Sequence, residues 1–262
     1  MLEKKKTEII IGFEEHTKKY LGKATPDMKK ADVIFLEMEP EFFRSIFLNK
    51  QITPEEALNN KKLLKGVAAY DKRELSILRN LWKDGKSIAS WDVGKNSVKK
   101  YPSLTRAINL REFAINQANS LRKRDELGAA TITKYLPNFE GKTIYVRAGA
   151  MHTGLYHQLK KELEPRGVSV KATFLTKGKY GNGGTSIKYT PLEELIRIFR
   201  FNTKSARNKE RIKSLIDEHY RHQQDVFNLV KKYKNEGLNE DRAIRKASVE
   251  LVRKRTGRGS RR

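Results

Sequence analysis

Side chains that handle protons or metals stand where three short hydrophobic runs end. The first run, Thr7-Glu-Ile-Ile-Ile-Gly-Phe-Glu-Glu-His16, finishes on Glu14 and His16. The second, Val33-Ile-Phe-Leu-Glu37, finishes on Glu37, and the third, Thr143-Ile-Tyr-Val-Arg-Ala-Gly-Ala-Met-His152, on His152. Imidazole nitrogen and carboxylate oxygen suit one divalent metal (Zn, Mn, Fe or Ni), which would acidify a bound water. Without a metal, a histidine held by a carboxylate can take the proton from water itself. Glu14, His16, Glu37 and His152 are therefore candidate metal ligands. His16, Glu37 and His152 are also candidate catalytic groups.

Arg111 is the fourth candidate catalytic residue. It falls on the apolar stripe of the clearest helical pattern, seven residues after Leu104. An isolated buried charge costs several kcal/mol, so Arg111 is expected to pair with Glu37 or Glu14 and to orient the acid or steady an oxyanion. The competing expectation is that it snorkels out of the face. Each acid also has a plainer reading: solvated charge at a helix start, or N-cap chemistry before Pro40 in the case of Glu37. Asp92, after a further strand, could join the same cleft or serve as a turn residue. His157 points about 140° away from His152 around a helix and is expected to be structural or solvent-facing.

These residues need elements that bring them together. Each run reads as a buried strand followed at once by a helical pattern, the mark of βα units in a parallel sheet. The carboxyl ends of such strands share one crevice, where ligands bind. The expected fold is α/β: a mainly parallel central sheet flanked by helices, over residues 1–190. An all-helical basic extension over residues 191–262 would follow, with a frayed tail. Helices are predicted over 16–21, 54–66, 71–84, 104–122, 125–135 and 152–164, with a turn at Thr25-Pro26-Asp27. Further strands are predicted at 87–93 and 169–175. The glycine-rich stretch 177–184 lacks the Gly-Lys-Ser/Thr ending of a phosphate loop and reads as flexible.

Composition limits the chemistry. There is no cysteine, which excludes disulfides, thiolate metal sites and a cysteine nucleophile. No stretch approaches a membrane span and the N-terminal run is too short and charged for a secretory signal, so a cytoplasmic protein is expected. Abundant Lys and Glu with scarce Gln is a composition seen in proteins from hot habitats. No His-Glu-x-x-His and no Gly-x-Ser-x-Gly occurs, so ordinary zinc proteases and serine hydrolases are not indicated.

Taken in order, Gly12-Phe-Glu14-Glu-His16, Phe35-Leu-Glu37, Asn109-Leu-Arg111-Glu-Phe-Ala-Ile and Ala148-Gly-Ala-Met-His152-Thr resemble the erythromycin esterase-like, ChaN-like, TraB and TIKI group. The resemblance spans roughly residues 7–160. It implies that His16, Glu37, Arg111 and His152 occupy the group's active-site positions, with Glu14 in the slot of the first acid. The group's activities include ester hydrolysis, metal-dependent proteolysis, haem binding and signalling. The resemblance therefore implies a hydrolase acting on a small-molecule or peptide substrate without naming the bond. Two departures stand out. Phe13 is inserted between the first glycine and its acid, and the basic helical C-terminus has no counterpart in the group.

The formal net charge of +25 attracts polyanions. Residues 200–262 hold 19 Lys and Arg against 8 Asp and Glu, yet the remainder is also strongly positive, so the charge is not confined to one arm. Lys231, Lys232 and Lys234, with Arg253, Lys254 and Arg255, are the candidate nucleic-acid contacts. The alternative function is thus a nucleic-acid-binding protein on a catalytically silent scaffold. The bland alternative is a solvated helical appendage.

Overall fold

A computed structural model of the chain describes residues 6–14, 18–48, 72–92, 109–175, 190–201 and 204–255. His16, the expected helix over 54–66 and the glycine-rich stretch 177–184 lie outside the described residues. The chain divides into two compact units, residues 1–102 with 116–188 and residues 103–115 with 189–262.

The first unit is an α/β sandwich around five parallel strands. In chain order these are β1 (Glu8–Glu14), β2 (Val33–Leu36), β3 (Ser87–Ser90), β4 (Thr143–Gly149) and β5 (Ser169–Phe174). Their order across the sheet is β3-β2-β4-β1-β5. All pairings are parallel, as continuous apolar runs demand when both faces are covered. Helices α1 (Lys18–Lys30), α2 (Pro40–Phe43, continued by a π-turn over Arg44–Leu48) and α3 (Lys72–Lys83) lie on one face. There Ala24, Met28, Phe42, Phe47, Leu75 and Leu78 pack on Ile34, Leu36 and Tyr145. Helices α4 (Leu110–Tyr135) and α5 (Thr153–Leu163) serve the other face. There Ala129, Ile132, Leu155, Leu159 and Leu163 pack on Ile9, Ile11, Phe13, Val33, Phe35, Ile144 and Val146. The chain leaves β1 toward β2 over the first face and leaves β4 toward β5 over the second. The β1/β4 boundary is therefore a topological switch point.

Two local predictions yield to packing. The turn at Thr25-Pro26-Asp27 is helix, because α1 runs through Pro26. Burial of Ala24 and Met28 against the sheet outweighs the hydrogen bond that proline forfeits. The predicted pair of helices either side of residue 123 is one helix, α4. Its Gly128 leaves room for the indole of Trp91, which a Cβ at that position would strike. Gly12 on β1 similarly clears space for the ring of Tyr145.

The second unit includes α6 (Pro191–Arg200), α7 (Lys209–Asn235) and α8 (Glu240–Arg255). Thr190 and Glu193 form a reciprocal capping box at the start of α6, and Asn208 caps α7 by accepting from the Arg211 amide at 2.9 Å. Gly237 closes α7 with a φ of 86°, a left-handed conformation that glycine adopts without strain. Tyr233, Ala243 and Ala247 join α7 to α8. The Tyr233 hydroxyl donates to Glu250, and that bond holds the phenol's pKa up to about 12. Ile244 on α8 is exposed. The buried row is Ala243, Ala247 and Leu251, and Ile244 stands about 100° round the helix from it. No helix among the described residues is long and apolar enough to cross a membrane.

Candidate active site at the strand ends

Glu37 directly follows β2, Asp92 follows β3 by two residues, and His152 ends a single 3₁₀ turn after β4. Helix α4 runs past all three and contributes Arg124 and Asp125. The result is one continuous polar cluster. His152 Nδ1 stands 2.6 Å from Asp125 Oδ1, and its Nε2 stands 3.1 Å from Glu37 Oε1. Glu37 Oε1 also accepts from Arg124 Nη2 at 3.1 Å, and Glu37 Oε2 accepts from the Gly149 amide at 2.7 Å. Arg124 donates from Nη2 to Asp92 Oδ2 at 2.9 Å and from Nε to Asp92 Oδ1 at 3.3 Å, a bidentate grip.

Burial grades across this cluster. Asp125 and His152 are closed off at 2% and 3% exposure, Glu37 and Asp92 side chains are 11% exposed, and Arg124 reaches 26%. Solvent or a ligand thus meets the arginine and the two acids while the histidine stands behind them. Trp91 walls the inner side, with its ring edge-on to His152 at 5.3 Å and its Nε1 donating to the Arg147 carbonyl at 2.8 Å.

Desolvation raises the Asp92 pKa, the charge of Arg124 offsets part of that rise, and the charge of Glu37 adds to it. Burial pulls Arg124 down, but the charges of Asp92 and Glu37 outweigh it and the net shift is upward. Because the folded Asp92 carboxyl titrates above its unfolded value of 3.8, folding favours its protonated form. That contribution is complete below the unfolded pKa and is lost as pH rises through the folded one. Denaturant unfolding of wild type and Asp92→Asn from about pH 3 to about pH 7 should show the wild type losing ground to the variant across this window. A difference that ignores pH, or one of opposite slope, would contradict the assignment.

Of the residues weighed from the sequence, the fold brings Glu37, Asp92 and His152 into one cluster. Glu14 goes elsewhere. Side chains alternate along a strand, and Glu14 shares its face with Gly12, opposite Phe13 and hence opposite the α4 side. There it forms a fully buried ion pair with Arg147 Nε, the residue register-paired with Gly12. Arg111 is corrected too. It is exposed, and its guanidinium stands 5.5 Å from the Phe199 ring centre within the second unit. The buried positions at the start of α4 are Leu110, Ala114 and Ala118, so Arg111 sits one residue off the stripe. Arg124 holds Glu37 instead. His157 is exposed, as expected.

The expected metal centre does not form among the described residues, where no three His, Asp or Glu side chains are placed to hold an ion. Glu14 faces Arg147 on the other side of the sheet, and both nitrogens of His152 already face carboxylates.

Arg124, Asp125, Trp91 and Arg147 were not singled out from the sequence. Asp125 carried a readable signal: it lies seven residues after Ala118, four before Ala129 and seven before Ile132, all buried. A carboxylate in that row needs a partner. Arg147, a lone charge inside Ile144-Tyr-Val-Arg-Ala, carried the same signal.

A cleft of about 570 Å³ opens at the opposite, amino end of the strands, among Thr7, Thr133, Pro137, Gly141, Arg166 and Val168. The histidine–carboxylate cluster lies at the carboxyl ends instead, away from this cleft. No family model matches the chain, and no curated protein or solved structure is significantly similar to it.

Proposed function

We propose that this chain is a hydrolase of small-molecule esters or peptides that activates water at the His152–Glu37 pair. The observation that carries this reading is a histidine gripped between two carboxylates, Asp125 at 2.6 Å and Glu37 at 3.1 Å, at the carboxyl ends of adjacent parallel strands β2 and β4. The resemblance of Phe35-Leu-Glu37 and Ala148-Gly-Ala-Met-His152-Thr to the erythromycin esterase-like, TraB and TIKI group points the same way.

In this reading Asp125 accepts the Nδ1 proton and fixes the ring, leaving Nε2 and Glu37 to share one proton. Water approaching Glu37 from the solvent side loses its proton to that pair as its oxygen bonds to the substrate carbonyl carbon. Arg124, already anchored by Asp92 and Glu37, lies at the solvent edge, where a guanidinium can stabilise the oxyanion. The proton gathered by the Nε2–Glu37 pair then passes to the departing alkoxide or amine.

The test is hydrolysis of a panel of nitrophenyl esters and peptide anilides by wild type, His152→Ala and His16→Ala, with circular dichroism as the check on folding. Turnover by wild type and a loss of about 10³-fold or more in a folded His152→Ala support the reading. Wild-type silence across the panel, or equal turnover in His152→Ala, refutes it. His16→Ala reports whether the first histidine takes part.

A further inference from the structure

The outer face of α7 carries an arrangement unrelated to the strand-end cluster. Tyr220 and Phe227 are large side chains that stand in solvent, at 59% and 64% exposure. They are seven residues apart, so they share one side of the helix about 10 Å from each other. That side is not the packing face, which is formed by Ile212, Leu215, His219 and Tyr233. At the same seven-residue spacing the row begins with Lys213 and ends with Lys234, and Lys231 lies four residues beyond Phe227. All three lysines are exposed. Lys234 reaches Glu240 at 3.4 Å, whereas Lys213 and Lys231 have no acid within ion-pair distance among the described residues. Gln224, between the rings, donates its side-chain amide to Asn228 Oδ1 at 3.2 Å. Asp217, at the border of the row near Lys213, is the acid closest to it in helical position.

Leaving two aromatic rings in water forgoes the free energy of burying them. A second copy of the chain could cover them, but it would bring its own share of a +25 charge against the same lysines. A flexible polyanion that carries flat apolar rings matches both features. We infer that this face of α7 is a platform for single-stranded nucleic acid, with one base stacked on Tyr220, another on Phe227, and phosphates on Lys213 and Lys231. The rings lie farther apart than the 3.4 Å between neighbouring bases on a duplex strand, so each takes its own base from a splayed strand. The paired bases of a duplex do not offer their faces in this way, and the platform discriminates against them. Lys231 and Lys234 were already candidates from charge alone. Tyr220, Phe227 and Lys213 are added by the exposure pattern.

The experiment is fluorescence-anisotropy titration of the full chain with 12-nucleotide oligo-U RNA, oligo-dT DNA and a 12-base-pair DNA duplex at several salt concentrations. The expected result is binding of single strands in preference to duplex. Tyr220→Ala and Phe227→Ala should each weaken single-strand binding about ten-fold or more with little change in salt slope. Lys213→Gln with Lys231→Gln should instead flatten the slope by about 1.4, as two phosphate contacts require. These side chains are exposed, so the variants should keep wild-type circular dichroism. Equal affinity in both aromatic variants overturns the inference, as does duplex binding as tight as single-strand binding. So does a concentration-dependent dimer, seen by sedimentation, that Tyr220→Ala and Phe227→Ala dissolve while no oligonucleotide binds. A difference between the RNA and DNA arms identifies which sugar is accepted.

Discussion

Replacing Glu14 by Ala is expected to destabilise the first unit by about 3–5 kcal/mol. Glu14 and Arg147 are both completely buried, on adjacent strands at the centre of the sheet. Their charges were removed from water when β1 and β4 paired, and removing the carboxylate leaves the guanidinium to bear that cost. The surroundings cannot relax readily, because Gly12 and the Tyr145 ring fill the space next to the pair. Burial holds the Tyr145 phenol un-ionised, so the tyrosine offers no countercharge when Glu14 is removed. The measurement is urea unfolding followed by circular dichroism, with Glu14→Leu/Arg147→Met as the companion. Swapping both partners for apolar side chains should recover most of the loss, because a buried ion pair owes much of its apparent strength to the harm done by breaking half of it. A Glu14→Ala variant within about 1 kcal/mol of wild type would show that water reaches Arg147.

The same pair explains how much could be read from the sequence. The parallel sheet was legible because Ile9-Ile-Ile11, Val33-Ile-Phe-Leu36 and Ile144-Tyr-Val146 are apolar without alternation, which only a strand covered on both faces requires. The gathering of strand ends followed from that topology. Which face each terminal side chain takes depends on strand phase, and a one-residue difference reverses it. Thus Glu14 and Glu37, both at strand ends, part company: one meets Arg147 and the other meets Arg124. An arginine does hold the acid at the end of β2, but it is Arg124 and not Arg111. The helical stripe was counted from Leu104, whereas α4 as described begins at Leu110, so the buried row is displaced and Arg111 leaves it. Asp125 and Arg124 sit in the polar stretch Arg122-Lys-Arg-Asp-Glu126, where charge density hides which members turn inward. Only the packing of Ala129 and Ile132 on the sheet selects them.

Asp125→Asn is the sharpest probe of the proposed chemistry, since it keeps the volume and changes only the proton on His152. In wild type the Asp125 carboxylate can only accept, so it draws the ring's proton to Nδ1 and leaves Nε2 facing Glu37. An asparagine amide can donate to Nδ1 instead. That leaves the ring its single proton on Nε2, so the imidazolium that Asp125 stabilises when the Nε2–Glu37 pair takes up water's proton no longer forms. In serine hydrolases the corresponding change lowers kcat by about 10⁴, and a fall of about 10³ to 10⁴ in kcat with little change in KM is expected here. Substrate contacts fall to Arg124 and the outer acids, which the substitution leaves in place, so KM and kcat should separate. Combining Asp125→Asn with His152→Ala should cost scarcely more than either alone, because both disable one proton-transfer unit. Strictly multiplicative losses would mean that the two residues act independently. A single Asp125→Asn variant retaining wild-type kcat would remove the imidazole from the reaction and leave the network as a structural clasp between β2, β4 and α4.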